Sequence, residues 1–186
     1  MLTIQSIPTS HLHRQFSLFI GALLIIITTN TVAGPDADQR RRAAGHPQTP
    51  VEQLWQLSDD EDWRVRQYLG RNRKSPPALL DKLARDPHPQ VRIAVATNLA
   101  TKTPTFMHLA KDNDVQVRSV VARFEYVPDT VLALLASDAD ADIRLEVARN
   151  LNTTEATLRE LLKDEQPEVA SAASVGLQRL REEKAD

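Results

Sequence analysis

The stretch DPHPQVRIAVATN, residues 86–98, sets an arginine inside an apolar run. Arg92 follows Val91 and precedes Ile93, Ala94 and Val95. A half-buried strand would alternate apolar and polar residues, and this run does not. Val91, Ala94 and Val95 instead fall at i, i+3 and i+4, which places them on one face of a helix with Arg92 beside that face. The same arrangement returns in DADADIRLEVARN, residues 138–150, where Arg144 stands beside Ile143 and Val147.

The recurrence extends from Thr49 to Gln178 as five gapless units of 26 residues. Leucine holds one column (Leu57, Leu83, Leu109, Leu135, Leu161) and aspartate another (Asp60, Asp86, Asp112, Asp138, Asp164). A third column is Val65, Val91, Val117, Ile143 and Val169, and the fourth is Arg66, Arg92, Arg118, Arg144 and then Ala170. Fixed-period self-similarity over five copies defines a repeat architecture.

Each unit reads as two short helices. The first buries Leu80, Leu83 and Ala84 in the second unit and Phe106, Leu109 and Ala110 in the third, again at i, i+3 and i+4. Thr49, Ser75, Thr101 and Thr153 are of N-cap type, and Pro50, Pro76 and Pro128 suit a first helical turn. Asn72, Asn98 and Asn150 stand where the second helix closes, and asparagine tolerates a left-handed terminus. Helices of about two turns are marginal alone. Stability must come from stacking, so the fold class is all-α, an α-solenoid of five two-helix repeats over 49–178 with a continuous core. Trp55, Trp63 and Tyr68 in the first unit, and the loss of arginine at Ala170 in the last, mark the ends as caps.

The flanks differ in composition. Residues 1–33 carry no acid and a single strong base, Arg14, and FSLFIGALLIII (16–27) is apolar throughout. Twelve residues suit the apolar core of a secretory signal better than a span of roughly twenty. Small residues place a cleavage site between Ala33 and Gly34. An uncleaved signal anchor is the alternative, and Arg40, Arg41 and Arg42 favour the reversed orientation. The expectation is an exported, periplasmic protein, with inner-membrane anchoring as the rival. Residues 34–48 read as a polar linker and 179–186 as a charged tail.

The pattern D-x-x-x-x-V-R-x-x-V-A-x-N resembles the leucine-rich repeat variant family and is similar to HEAT-like repeats, which pair aspartate with arginine at this spacing. A period of 26 is short for HEAT units of about 40. The variant family is therefore the nearer resemblance, and it implies units in which one helix of each pair is a short 3₁₀ segment. Some members of that family carry an N-terminal cysteine cluster for iron–sulfur binding. This chain has no cysteine, and no cofactor is expected.

The aspartate and arginine columns admit two readings: a row of cations gripping an anionic ligand, or a structural ladder joining loops and units through the arginine fork. Loop carboxylates can also cap the second helix. Partner binding is sought where the repeats differ, at Arg71, Arg123 and Arg149, which would form a basic stripe, and at Ile93 and Leu145, which would form an apolar strip. The bland alternative is a solvated helix face.

Catalytic signals are absent from the sequence. His46, His88 and His108 form no i, i+4 pair, no glycine-rich phosphate loop exists, and the acids of SDDEDW and DADAD lack EF-hand spacing. With 23 basic and 25 acidic side chains no global basic field advertises nucleic acid, and no metal site is expected. The expected function is a non-catalytic protein–protein interaction module with an unidentified protein partner, touching a membrane only through an uncleaved leader. A HEAT-like enzyme, or a nucleic-acid or anion binder using the arginine stripe, is the alternative.

Overall fold

A computed structural model describes residues 36–184. The leader, with its signal or anchor reading and the Ala33–Gly34 cleavage site, lies outside the described residues. From Ala37 onward the chain is one compact unit. Its helices are α1 (Ala37–Gly45), α2 (Val51–Gln56) with a 3₁₀ turn at Leu57–Asp59, α3 (Trp63–Arg71), α4 (Pro77–Leu83), α5 (Pro89–Ala96), α6 (Thr103–Leu109), α7 (Val115–Arg123), α8 (Asp129–Leu135), α9 (Ala141–Arg149), α10 (Glu155–Leu161) and α11 (Pro167–Glu182). No strand is present among the described residues. The architecture is an all-α solenoid.

The odd-numbered helices form one layer, each packed on the one before and the one after, and the even-numbered helices form the other. Between the layers lies one continuous core. Leu54, Leu80, Phe106, Leu132 and Leu158 enter it from the even layer, and Val65, Val91, Val117, Ile143 and Val169 from the odd. A further buried column, Leu79, Thr105, Val131 and Thr157, seals successive even helices. Its first member, Gln53, is exposed, and among the described residues no even helix precedes it. Small residues let the odd helices approach: Ala44, Ala96, Ala122 and Ala148 share a column with Gly70. A Cβ on Gly70 would stand 2.9 Å from that of Ala94 and 3.3 Å from the Val91 carbonyl oxygen.

Five expectations need correction. Residues 34–48 are not a linker throughout, because α1 is the second helix of a partial unit that precedes the first. Arg40 lies 26 residues before Arg66, Ala44 is fully buried, and Thr49 Oγ1 donates to the Ala43 carbonyl at 2.6 Å. The helix escaped notice because no first-helix pattern precedes it: the residues in register with Leu57 and Asp60 are Thr31 and Gly34. Of residues 179–186, expected as a charged tail, the described part, 179–184, belongs to the solenoid. Helix α11 runs on to Glu182, Leu180 packs against the core, and Lys184 Nζ donates to Glu155 Oε2 at 2.9 Å. That ammonium, with Arg159, holds the Glu155 carboxyl down at about 2.

The third correction is that both helices of each pair are α-helical. The 3₁₀ geometry implied by the resemblance is confined to Leu57–Asp59 and to i→i−3 closures such as Arg85 N–H to the Lys82 carbonyl. The fourth concerns caps. Ser75, Thr101 and Thr153 each send the hydroxyl backward to a carbonyl six residues earlier, at 2.6–2.7 Å, and so close the preceding helix. The even helices are opened by Pro50, Pro76, Lys102 and Pro128, with Thr154 alone using its side chain.

The asparagine column has a different use from the one expected. Asn72 and Asn150 have extended backbones, and no non-glycine residue, Asn98 included, has positive φ among the described residues. Asn98 Nδ2 donates to the carbonyls of Gly70 (2.7 Å) and Asn72 (3.0 Å) in the unit before, and its Oδ1 accepts from Ala100 N–H at 2.9 Å. Asn72 and Asn150 repeat this pattern. Phe124 occupies the column in the third unit and interrupts it, its ring packing on Phe106 and Tyr126. Asn98→Ala strands buried backbone carbonyls and is expected to cost about 1–3 kcal/mol. Thermal melts should show a drop of about 3–8 °C against an unmoved Thr97→Ala; equal melting temperatures would remove the asparagine from the joint.

Candidate partner-binding surface

The ladder arginines are fully committed. Arg92 Nε and Nη2 donate to both carboxylate oxygens of Asp112, at 2.6 and 2.8 Å, and Nη1 donates to the Asp86 carbonyl at 2.8 Å. Each arginine thus holds the loop of its own unit by a carbonyl and the loop of the next by a carboxylate 20 residues on. Arg66 takes Asp86, Arg118 takes Asp138 and Arg144 takes Asp164, each through a bidentate pair. Arg40 of the partial unit adds a further rung to Asp60. All three guanidinium nitrogens of Arg66, Arg92, Arg118 and Arg144 are bonded within the protein, which leaves no free fork for an anionic ligand.

Electrostatics agree with that closure. Each of these arginines has its pKa raised, chiefly by the side-chain hydrogen bond to its aspartate. Burial works against ionisation of Asp60, Asp112 and Asp138, yet the arginine bond and a backbone N–H two residues on outweigh it and hold these carboxyls low. For Asp164 the bond from Arg144 is the largest influence, again downward. The caps of the odd helices come from a column that sequence reading left unassigned. Asp62, Asp114 and Asp140 each accept from the N–H two residues on at 2.8–2.9 Å, and His88 Nδ1 does so at 3.2 Å. The signal was available as a polar residue two places after each ladder aspartate.

The variable residues sit on the outer face of the odd layer. Arg71, Arg123 and Arg149 are exposed in the last turns of α3, α7 and α9, where cations suit the helix dipole. Among the described residues none of the three has an ion pair. Thr97 stands in the same column between Arg71 and Arg123, so the stripe is divided, and Arg123 and Arg149 are its adjacent members. Ile93 and Leu145 are half-buried and packed against the core rather than projecting as a strip.

Sequence reading missed a groove at the far end of this face. Ala148, Arg149, Glu168, Ser171, Ala172, Val175 and Arg179 line a cavity of about 630 Å³ between α9 and α11. Val175 is 66% exposed there. The groove exists because Gly176 takes the place of the asparagine that closes other units, and α11 continues past it. Arg179 then donates to the Leu151 carbonyl at 3.3 Å. Among the described residues no three His, Asp or Glu side chains converge on a possible metal position.

No family model matches the chain, and no curated protein does. Among solved structures it is similar to a leucine-rich repeat variant with a novel repetitive structural motif. The identity is 30% and the TM-score 0.62, over 77% of this chain and 57% of that one. The present chain therefore spans little more than half the length of the solved protein.

Proposed function

We propose that this chain, which has the leucine-rich repeat variant fold, is a non-catalytic interaction scaffold that holds a protein partner along the outer face of its odd helices. One observation carries the reading. The repeated arginines are consumed by the joints between units, whereas the variable Arg123 and Arg149 have no ion pair among the described residues, and Arg149 lines an apolar-floored groove. A surface so arranged suits a segment that alternates acidic and apolar side chains. Solenoids offer extended faces of this kind, with recognition residing in what differs between repeats.

Export belongs to the same proposal and rests on the leader's composition. Protein isolated from cells should begin at Gly34; a retained Met1 would replace export by anchoring or by an internal location.

The partner surface is tested by capture from envelope extracts, followed by affinity measurement on the captured protein. Arg123→Ala/Arg149→Ala is expected to weaken that affinity by about tenfold or more while shifting the melting temperature by no more than about 2 °C. Equal affinity for both forms would move the partner off this face.

A further inference from the structure

We infer that the N-terminal end of the solenoid is a docking surface for an anionic phospholipid bilayer. Six basic side chains gather there on the odd layer and the loop after it: Arg41 and Arg42 on α1, Arg64 and Arg71 on α3, and Arg73 and Lys74 beyond. Two carboxylates accompany them. Arg41 pairs with Asp38 at 2.6 Å and lies 3.7 Å from Asp62, which also caps α3 and stands 3.9 Å from Arg64. Arg42 and Arg71 have no ion pair among the described residues. Of the other acids of this end, Asp36 precedes α1, and Glu52, Asp59, Asp60 and Glu61 lie on the even helix α2 and the turn and loop that follow it, Asp60 being taken up by Arg40.

Tyr68 stands amid the cations. Its ring lies over Gly45, where a Cβ would be 2.9 Å from Cδ1, and it is 43% exposed beside Arg41 and Arg42. Arg64 and Arg71 flank it on α3 at the i−4 and i+3 positions, which share its face. Guanidinium groups pair with phosphodiesters through two parallel N–H bonds, and an amphipathic tyrosine ring sits at headgroup depth. A basic cluster of this size beside an apolar segment is the composition that binds acidic lipid.

Two features favour a bilayer over an acidic polypeptide. The dense cluster is confined to this end, because the same face farther along intersperses Arg123 and Arg149 with Asp142, Glu146 and Glu168. It is also the end joined covalently to the apolar run 16–27. Residues 28–36 separate that run from α1, and nine residues reach at most about 30 Å. A retained leader holds the patch near the bilayer; after cleavage the patch itself makes the contact. The sequence expectation limited membrane contact to the leader, and this surface adds a second.

The test uses the chain as isolated from cells and amide hydrogen exchange with two vesicle types, phosphatidylcholine alone and phosphatidylcholine with phosphatidylglycerol. Exchange in α1, α3 and Asn72–Ser75 is expected to slow severalfold on the phosphatidylglycerol vesicles only, and the effect should fade in high salt. Arg42→Gln/Arg64→Gln/Arg71→Gln should abolish the slowing while keeping its thermal melt. Three results overturn the inference: no slowing on either vesicle, equal slowing on both, or slowing that survives in the variant. Slowing by soluble polyglutamate but not by vesicles would reassign the patch to an acidic polypeptide. The double variant of Arg123 and Arg149 lies outside this patch, so failure here leaves the scaffold proposal standing.

Discussion

Arg118→Ala lowers the melting temperature by about 5–15 °C, the largest expected effect of any single substitution on an exposed-looking edge of the molecule. Arg118 pairs with both oxygens of Asp138, and with the Asp112 carbonyl at 2.8 Å. Its side chain is 18% exposed and that of Asp138 only 8%. Removing the cation leaves a nearly buried carboxylate without its partner and a loop carbonyl with one fewer donor. Breaking such a pair costs about 2–4 kcal/mol, and each kcal/mol moves a domain of this size by about 2–4 °C. Arg118→Lys restores the charge without the fork and recovers part of the loss. Calorimetry beside Arg123→Ala, five residues along the same helix but exposed, supplies the comparison. If the two variants melt together, the ladder contributes nothing to the joint.

Acid unfolds the solenoid through the same rungs. Asp60, Asp112, Asp138 and Asp164 have folded pKa values below the ordinary value near 3.9. A depressed folded pKa means that the unfolded chain binds protons first as pH falls. The stabilisation is complete above about pH 5. It shrinks as pH passes through the unfolded value and is gone below the folded one. The midpoint of urea unfolding should therefore be nearly constant from about pH 7 to pH 5. The stability that the rungs contribute should then be lost over the acid interval that begins near pH 4. Asp138→Asn, already weaker at neutral pH, should show a shallower fall over that interval. Parallel curves for the two proteins would place acid sensitivity elsewhere.

The repeat made the solenoid legible, because a column such as Leu57 to Leu161 needs no structure to be seen. The partner of each rung was less accessible. Asp and Arg of one unit lie six residues apart, and that proximity hid the pairing at 20 residues, which requires knowing how units stack. Helix α1 was hidden for another reason: a helix stabilised by a neighbour's surface needs little apolar patterning of its own, and QRRRAAG supplies Ala44 and not much else. The candidate surface was half legible. Arg123 and Arg149 could be nominated from a variable column, but Ile93 and Leu145 could not be told from core without their burial. The groove beside α11 depends on helix length past Gly176, which composition does not specify.

The two edges of this solenoid differ mechanically. Along one, every loop from Asp60 to Asp164 is strapped to the next by a guanidinium that grips both, so lengthening that edge anywhere breaks an ion pair. Along the other, the asparagine tie is missing at Phe124, whose ring packs on Phe106 and Tyr126 of its own unit, and again at Gly176. Under load the molecule has one inextensible side and, on the other, two joints without the amide tie, between its second and third units and between its fourth and fifth. It can flex at those joints without surrendering a rung.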